Sequence, residues 1–534
     1  MLFTSFEFVA FLACVLVLYY LIPVRFQWIL LLVANVFFYT HSGLYGLLFM
    51  GVTIVTSYAA ARIMSAVQYH MDDMVKAHKE VWSKQERKAY KQQIKRKKRM
   101  IFIGCLLVNL GILAVLKYTN FAIANVNGIA ALFTGRHSIA RVNLVLPLGI
   151  SFYTFQTMGY VIDVYRGKAE AEKNIFKMAL FTSFFPQLIQ GPISRFGELS
   201  QTLYAPHRFD FRTVWFGLER VLWGYFKKLV IADRIVVVVN AIVGQPDIYS
   251  GFYVFCGMLF YAAELYADFT GGIDITIGIA QMFGIQLAEN FERPYFSKNI
   301  AEYWRRWHIS LGNWLKDYLF YPLLRTKFFM TLPKKLKDKL GKKRAKQVTT
   351  FSAMFILWFA IGYWHGGTWN YIIGSGLLHW FYIVSGELME PLFVKWRAFF
   401  HVNVESKGFI LFQRVRTFVL VMLGLVFFRN AQVMDAVRMI GRGFMGLGTE
   451  LFAPGVLSGL SMDWIECTIV LVSLLFTSWI SVKSQKEDMR EKLAALPLAV
   501  RWAVLYALIF YVILLGKYGP GYSASEFIYQ NFKV

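Results

Sequence analysis

The apolar residues of this chain fall in long runs separated by short polar turns, from the first residues to the last. A helix of about 20 residues spans the roughly 30 Å hydrocarbon core of a bilayer, and many of the runs approach that length. The pattern predicts helices near 7–23, 28–41, 44–66, 100–118, 120–134, 142–164, 175–193, 213–243, 250–267 and 270–288. Five more are expected near 349–364, 369–386, 409–428, 466–482 and 499–516. The fold class read from this is all-α, a polytopic transmembrane protein with about 11–15 crossing or re-entrant helices. Residues 1–534 read as a single integral membrane domain, with 71–99 and 325–346 as basic cytoplasmic loops and 431–534 as C-terminal transmembrane helices.

Composition sharpens this picture. Of the 534 residues, 57% are hydrophobic and only 17% charged, where a soluble domain is about 45–50% apolar. The net charge of +25 would suggest nucleic acid if it were spread over a surface. It is not. Residues 71–99 carry eleven Lys/Arg against four Asp/Glu, and 325–346 carry ten against one, so two stretches hold +16 of the +25. Both lie between apolar runs, which is the positive-inside pattern, with membrane lipid headgroups as added partners and no nucleic acid. With three spans before the first basic stretch, the N-terminus is expected on the extracytoplasmic face of a plasma or inner membrane. The cluster from Lys483 to Arg501 is then cytoplasmic as well. No basic residue precedes the apolar run Phe6–Ile22, so the first span is expected to be retained rather than cleaved. Cys14, Cys105, Cys256 and Cys467 are isolated from one another and suggest neither a zinc site nor a redox pair.

Two stretches stand apart from the simple spans. Residues 289–325 alternate aromatics and charges closely, as expected of short helices at the headgroup level. Residues 351–386 are apolar yet contain His365, His379 and the glycines Gly362, Gly366, Gly367, Gly374 and Gly376 among others, which suits an interrupted intramembrane helix pair. Of the nine histidines, His70, His78, His137, His207 and His401 sit in polar or boundary contexts and read as solvated, and His41 as an interface residue.

Three histidines remain as chemical candidates. An imidazole held in hydrocarbon must find a partner or face a cavity, and it exchanges a proton near working pH. For His365 a catalytic base and a core histidine bonded to a carbonyl stand equally. On an unbroken helix, His379 lies about four turns and roughly 21 Å from His365, too far to share a small substrate, so a structural role is favoured for it. If 303–317 is helical, Arg305, His308 and Asn313 lie roughly on one side. Arg305 and Arg306, with Lys316 and Asp317 nearby, suit a phosphate-bearing donor, and equally an interfacial pair reaching lipid phosphate. The chain contains no GxxxxGK[ST], GxSxG, HExxH or HxxxxD pattern, and no metal site can be assembled from the isolated histidines.

The segments Trp307–His308–Ile309–Ser310–Leu311 and Trp314–Leu315–Lys316–Asp317–Tyr318–Leu319 resemble one signature of the membrane-bound O-acyltransferases (MBOAT). Trp364–His365–Gly366, with the apolar run to Gly376 and His379, resembles another. Pro147–Leu148–Gly149–Ile150–Ser151–Phe152 and the stretch Phe185-Pro-Gln-Leu-Ile-Gln-Gly-Pro-Ile193 are similar to further landmarks of its bacterial branch, and the likeness spans residues 100–430. Within the family the chain looks most like the alginate O-acetyltransferase (AlgI-like) type, with D-alanyl exporters (DltB-like) next. The resemblance implies a catalytic His365, an assisting His308, and a helical shell around a thin centre where a cytosolic tunnel meets an outer funnel. It also implies acetyl-CoA as donor with no bound cofactor, a separate extracytoplasmic SGNH-type (AlgX/AlgJ-like) partner, and a polysaccharide as final acceptor. The alternatives are D-alanyl transfer to teichoic acid, a longer acyl cargo, and a non-enzymatic transporter of a lipid-linked sugar.

Overall fold

A computed structural model of the chain describes all residues except Ser42, 136–138, Gly244, Pro246, Ala431, 447–461, 520–526 and 528–534; His137 therefore lies outside the described residues. The described residues are helical apart from turns and one isolated bridge, Phe291 to Trp307. They group into two compact units, Met1–Leu218 with Thr276–Ala288, and Glu219–Ile275 with the chain from Glu289 onward.

The first unit begins with the helices α1 (Phe6–Leu21), α2 (Gln27–Thr40), α3 (Leu44–Ala77), α4 (Lys84–Thr134) and α5 (Ile150–Arg166). Shorter helices follow, α6 (Ile175–Ser183), α7 (Phe185–Gln190) and α8 (Phe196–Leu203). The stretch 71–99, expected as a loop, is mostly helix: α3 runs on to Ala77 and α4 starts at Lys84. Lysine and arginine are good helix formers, and Ser83 with Glu86 closes a capping box at the start of α4. The two runs read near 100–118 and 120–134 are one helix, because nothing between them breaks it.

Polar side chains inside this unit are held as a low-dielectric interior requires. Asn35 donates to the Ser183 hydroxyl (3.1 Å) and accepts the Phe185 N–H (2.9 Å). Gln27 donates to the carbonyls of Tyr19 and His207 and accepts the His207 N–H. The His207 ring stands 2.7 Å from the Thr202 carbonyl, so this histidine is a packing element rather than a solvated side chain. Gly149 has φ 68°, and a Cβ there would stand 2.7 Å from the Leu188 carbonyl oxygen. The two glycine-containing landmarks thus pack directly on each other.

The second unit takes up α9 (Phe211–Tyr225) from Glu219, which passes through a π-helical turn, Phe226–Ala232, into α10 (Asp233–Ile242), and it holds α11 (Phe252–Met282) as far as Ile275. A Cβ on Gly224 would meet the Gly271 carbonyl at 2.6 Å, so glycine is what lets these backbones approach. Beside this contact Lys228 is buried between Asp233 (2.8 Å) and Asp268 (2.7 Å). Lys227 pairs with Asp274, which also holds Arg220, and Arg220 grips Glu289 with both terminal nitrogens at 2.6 Å.

Then come α12 (Ile300–Arg306), α13 (Ile309–Leu315), α14 (Tyr321–Leu324) and α15 (Lys327–Gly366). The stretch expected as the second basic loop is again mostly helical from Lys327, with a break at Gly341 (φ 77°) that divides α15 into two helical parts. The helices α16 (Trp369–Tyr371), α17 (Leu378–Phe399), α18 (Lys407–Arg429), α19 (Val433–Gly443), α20 (Trp464–Lys483), α21 (Met489–Ala494) and α22 (Leu498–Leu515) complete the described chain. Among the described residues seven helices are long and apolar enough to cross a bilayer: α3, α4, α15, the stretch Trp369–Phe399, α18, α20 and α22. The shorter apolar helices Phe6–Leu21 and Val24–Thr40 accompany them. Large apolar side chains such as Leu107, Leu132, Leu475 and Leu514 are exposed, as lipid-facing positions are. The protein is an all-α, multi-pass membrane protein.

Candidate active site

The site is built in the second unit from three interruptions of helix. The first lies between α12 and α13. The helix stops at Arg306, Trp307 is extended, and His308 takes a left-handed backbone conformation (φ 48°, ψ 53°). Such a conformation is uncommon for a residue with a Cβ and persists only where its surroundings impose it. Here the chain at 290–292 does so. Glu292 N–H donates to the Arg306 carbonyl (2.9 Å) and Ile309 N–H to the Asn290 carbonyl (3.0 Å). The Asn290 side-chain oxygen receives the Ser310 N–H (3.0 Å) and the Ser310 hydroxyl (2.9 Å), and faces His308 Nδ1 at 3.3 Å.

This break corrects the expectation that Arg305, His308 and Asn313 share one side of a helix. Arg305 and Asn313 are exposed. Arg306 pairs one turn back with Glu302 at 2.6 Å. Lys316 and Asp317 lie half-buried in a π-helical turn, Lys316–Phe320. Burial, aided by the charge of Arg305, lowers the Lys316 ammonium from its ordinary pKa.

The second interruption follows His365. Helix α15 ends at Gly366, and Gly367 (φ 60°) donates its N–H to the Tyr363 carbonyl at 3.0 Å. That left-handed glycine turns the chain back. Through α16 and a third interruption, the π-helical turn Ile372–Leu377, the chain returns along α15 into α17. Glycines permit the close return. A Cβ on Gly362 would meet Ile372 Cα at 2.6 Å, and one on Gly376 the Trp358 carbonyl oxygen at 2.5 Å.

The consequence for His379 is large. The helix on which it was expected to stand four turns from His365 does not exist, and the hairpin brings both imidazoles to one small cavity of about 20 Å³. Leu265 and Phe269 of α11, Tyr303 and Trp304 of α12, Trp307, and Leu425 and Phe428 of α18 form the remaining wall. His365 meets Phe428 edge-on at 5.4 Å, and His379 meets Trp304 edge-on at 5.0 Å. His308, His365 and His379 are only 5%, 5% and 2% exposed. His308 stands one ring behind the wall, edge-on to Phe269 at 5.0 Å. Trp364 lies between the two candidate catalytic rings, 6.2 Å from His308 and 5.0 Å from His365. Neither Trp364 nor Arg305, Arg306, Asn313, Lys316 or Asp317 lines the cavity.

Tyr303, Trp304 and Trp307 form much of the wall, where the sequence pattern predicts aromatics at the membrane interface. Their i, i+4 spacing at 303 and 307 was the available signal. Burial pushes the His308 imidazole well down, to about 3, so this ring is neutral at working pH. The arrangement sets two buried imidazoles, His365 and His379, on the wall of a small apolar space. Such a site suits transfer of a small group between two oxygen or sulfur atoms.

The sequence profile of MBOAT, the membrane-bound O-acyltransferase family, matches residues 171–336, which include the His308 turn and end before His365. A probable alginate O-acetylase, AlgI, of Pseudomonas syringae pv. tomato is 32% identical over 436 residues, covering 81% of this chain and 73% of the relative. The chain belongs to the membrane-bound O-acyltransferase family. The probable AlgI of Pseudomonas aeruginosa is 33% identical over 431 residues, 80% of this chain and 72% of its own length. A peptidoglycan O-acetyltransferase of Helicobacter pylori is 30% identical over 376 residues, 66% of this chain and 65% of its own. The chain is thus an MBOAT acyltransferase of the AlgI-like kind, and the buried imidazoles above are read in that light.

Proposed function

We propose that this MBOAT protein moves acetyl from cytoplasmic acetyl-CoA to an acceptor hydroxyl at the outer face of a plasma or inner membrane, for O-acetylation of an extracellular, alginate-like polysaccharide. The observation that carries the reading is His365, buried at the break of an intramembrane helix pair and lining a cavity with His379. In the proposed step the acceptor oxygen attacks the thioester carbonyl while His365 takes the hydroxyl proton. The C–S bond breaks, and the proton passes from His365 to the departing thiolate. His308 orients the site from behind Phe269 and Trp364. A cavity of about 20 Å³, room for about one water molecule, leaves no space for a fatty acyl chain, and the choice of acetyl rests on the likeness to the probable alginate O-acetylases. The acceptor is proposed to be a separate extracytoplasmic SGNH-type protein, which passes acetyl to the polysaccharide.

The test is transfer of labelled acetyl from acetyl-CoA by the purified full-length protein, with and without the partner. His365→Ala is expected to lower turnover by at least about 10²-fold, with unchanged yield and elution from the membrane extract. Turnover equal to wild type, or label accepted only from a D-alanyl thioester, overturns the proposal.

A further inference from the structure

The second unit holds another, larger cavity of about 130 Å³. It lies along two of the helices that wall the histidine cavity: Leu259, Ala263 and Tyr266 of α11, and Phe418 of α18, face it. Phe418 is seven residues before Leu425, about 10 Å along the helix. Tyr295 separates the two spaces, its ring stacked 6.0 Å from Trp307 and its hydroxyl bonded to the Ala262 carbonyl at 2.8 Å. The outer wall is α20, through Leu474, Thr477, Ser478 and Ser481. Nothing in the acyl-transfer chemistry uses this space.

Its polar end is cationic. Arg293, in the left-handed conformation at φ 48°, lines it. Arg306 stands near enough for its charge to act on Arg293. The guanidinium of Arg414 lies 5.8 Å from the Phe296 ring, and its Nε is buried without a hydrogen-bond partner among the described residues. The nearby carboxylates do little to neutralise this end. Glu302 is taken by Arg306 at 2.6 Å and Glu390 by Arg397 at 2.5 Å, while Glu292 is largely exposed and 3.6 Å from Arg293.

The other end is apolar and open. Leu259 is 51% exposed at the rim. Ser478 is exposed on a face of α20 whose neighbours Leu475, Trp479 and Val482 are exposed too, a surface suited to lipid. A space with guanidinium at its closed end and alkyl side chains at its mouth matches an anionic amphiphile. At about 130 Å³ it is smaller than the roughly 300–1,000 Å³ sites that enclose a whole drug-sized ligand. It therefore accommodates a headgroup fragment with its chain trailing outside, rather than a complete nucleotide.

We propose that the cavity between α11 and α20 is a binding site for one anionic phospholipid, its phosphate on Arg293 and the Ser481 hydroxyl, its acyl chain leaving past Ser478 along Leu259 and Leu475. The site lies toward the end of α20 that leads to Lys483, a charge that would also attract an anionic headgroup.

The experiment is native mass spectrometry of the full-length protein, released from mixed micelles containing equal phosphatidylglycerol and phosphatidylcholine. One phosphatidylglycerol should survive delipidation. Arg293→Gln should lower its retention about tenfold, the loss of one charge-assisted contact, and Arg293→Lys should restore much of it. Ser478→Phe, a change on a lipid-facing surface that fills the mouth, should also lower retention without altering elution. Coenzyme A and inorganic phosphate should leave the lipid in place. Equal retention of phosphatidylcholine, or unchanged retention in both Arg293→Gln and Ser478→Phe, overturns the proposal. Displacement by coenzyme A overturns it too, and assigns the arginine to a soluble donor.

Discussion

A left-handed backbone at His308 is costly, about 1–3 kcal/mol, and the bonds from 290–292 that hold it also set which way its ring can act. The Asn290 side-chain oxygen is identified by the backbone N–H of Ser310 that it accepts, so His308 Nδ1 must be the donor in their contact. Nε2 then keeps its lone pair, which suits orienting or proton acceptance and does not suit donation to a developing oxyanion. Burial lowers the pKa to about 3, so His308 carries no proton charge to lose or gain between pH 5 and 8. His308→Asn, a residue that tolerates the left-handed conformation, is expected to lower kcat about 10–100-fold. The acid limb of its pH–rate profile should fall at the same pH as in wild type. A limb that shifts with this substitution would assign the titration to His308 and contradict the depressed pKa. His365 and His379 were legible as candidates because an ionisable group in an apolar run is rare, and His308 because it stands among the aromatics and charges of 289–325. Their separate roles were not, since those depend on bonds to residues 18 or 20 positions away.

At the scale of elements, the decisive feature is the return of the chain after Gly367. Composition already signals it through the five glycines clustered within 362–376, and an interrupted helix pair is expected there. What the sequence did not reveal was the direction of the return, which carries His379 from four turns away to the wall shared with His365. That direction follows from the left-handed Gly367 and from the close packing of Gly362 and Gly376 on the opposing strand of the hairpin. Gly376→Val should therefore cost about 1–3 kcal/mol, because its Cβ would press on a backbone oxygen, and should lower acyl transfer and the unfolding temperature in detergent together. Gly386→Ala, with open space around its Cβ, should instead gain about 0.5–1 kcal/mol and leave activity unchanged. If both substitutions are neutral, the hairpin is not held by close backbone approach.

For the molecule as a whole, buried charge is the main constraint on what can be changed. Lys228→Met would leave Asp233 and Asp268 buried together without their cation, at a cost of about 3–5 kcal/mol. Replacing both carboxylates by Asn in the same chain should recover most of it, as read by thermal unfolding in detergent. The charge of the two basic stretches also predicts topology. Single cysteines at Lys91 and Lys343, in a background without the native cysteines, should react with an impermeant thiol reagent in inverted vesicles and not in intact cells. Labelling from outside would reverse the proposed orientation. The sequence alone determined that this is a helical membrane protein with basic segments between spans and imidazoles set in apolar surroundings. Hydrophobic length, charge and residue type are local properties, and each acts wherever it stands along the chain. Only the tertiary structure decided that the signature around His308 is a strained turn and that His365 and His379 share one wall. These outcomes depend on where a helix breaks and on which backbone several turns away then bonds to or packs on the free ends, and neither residue type nor spacing states that pairing.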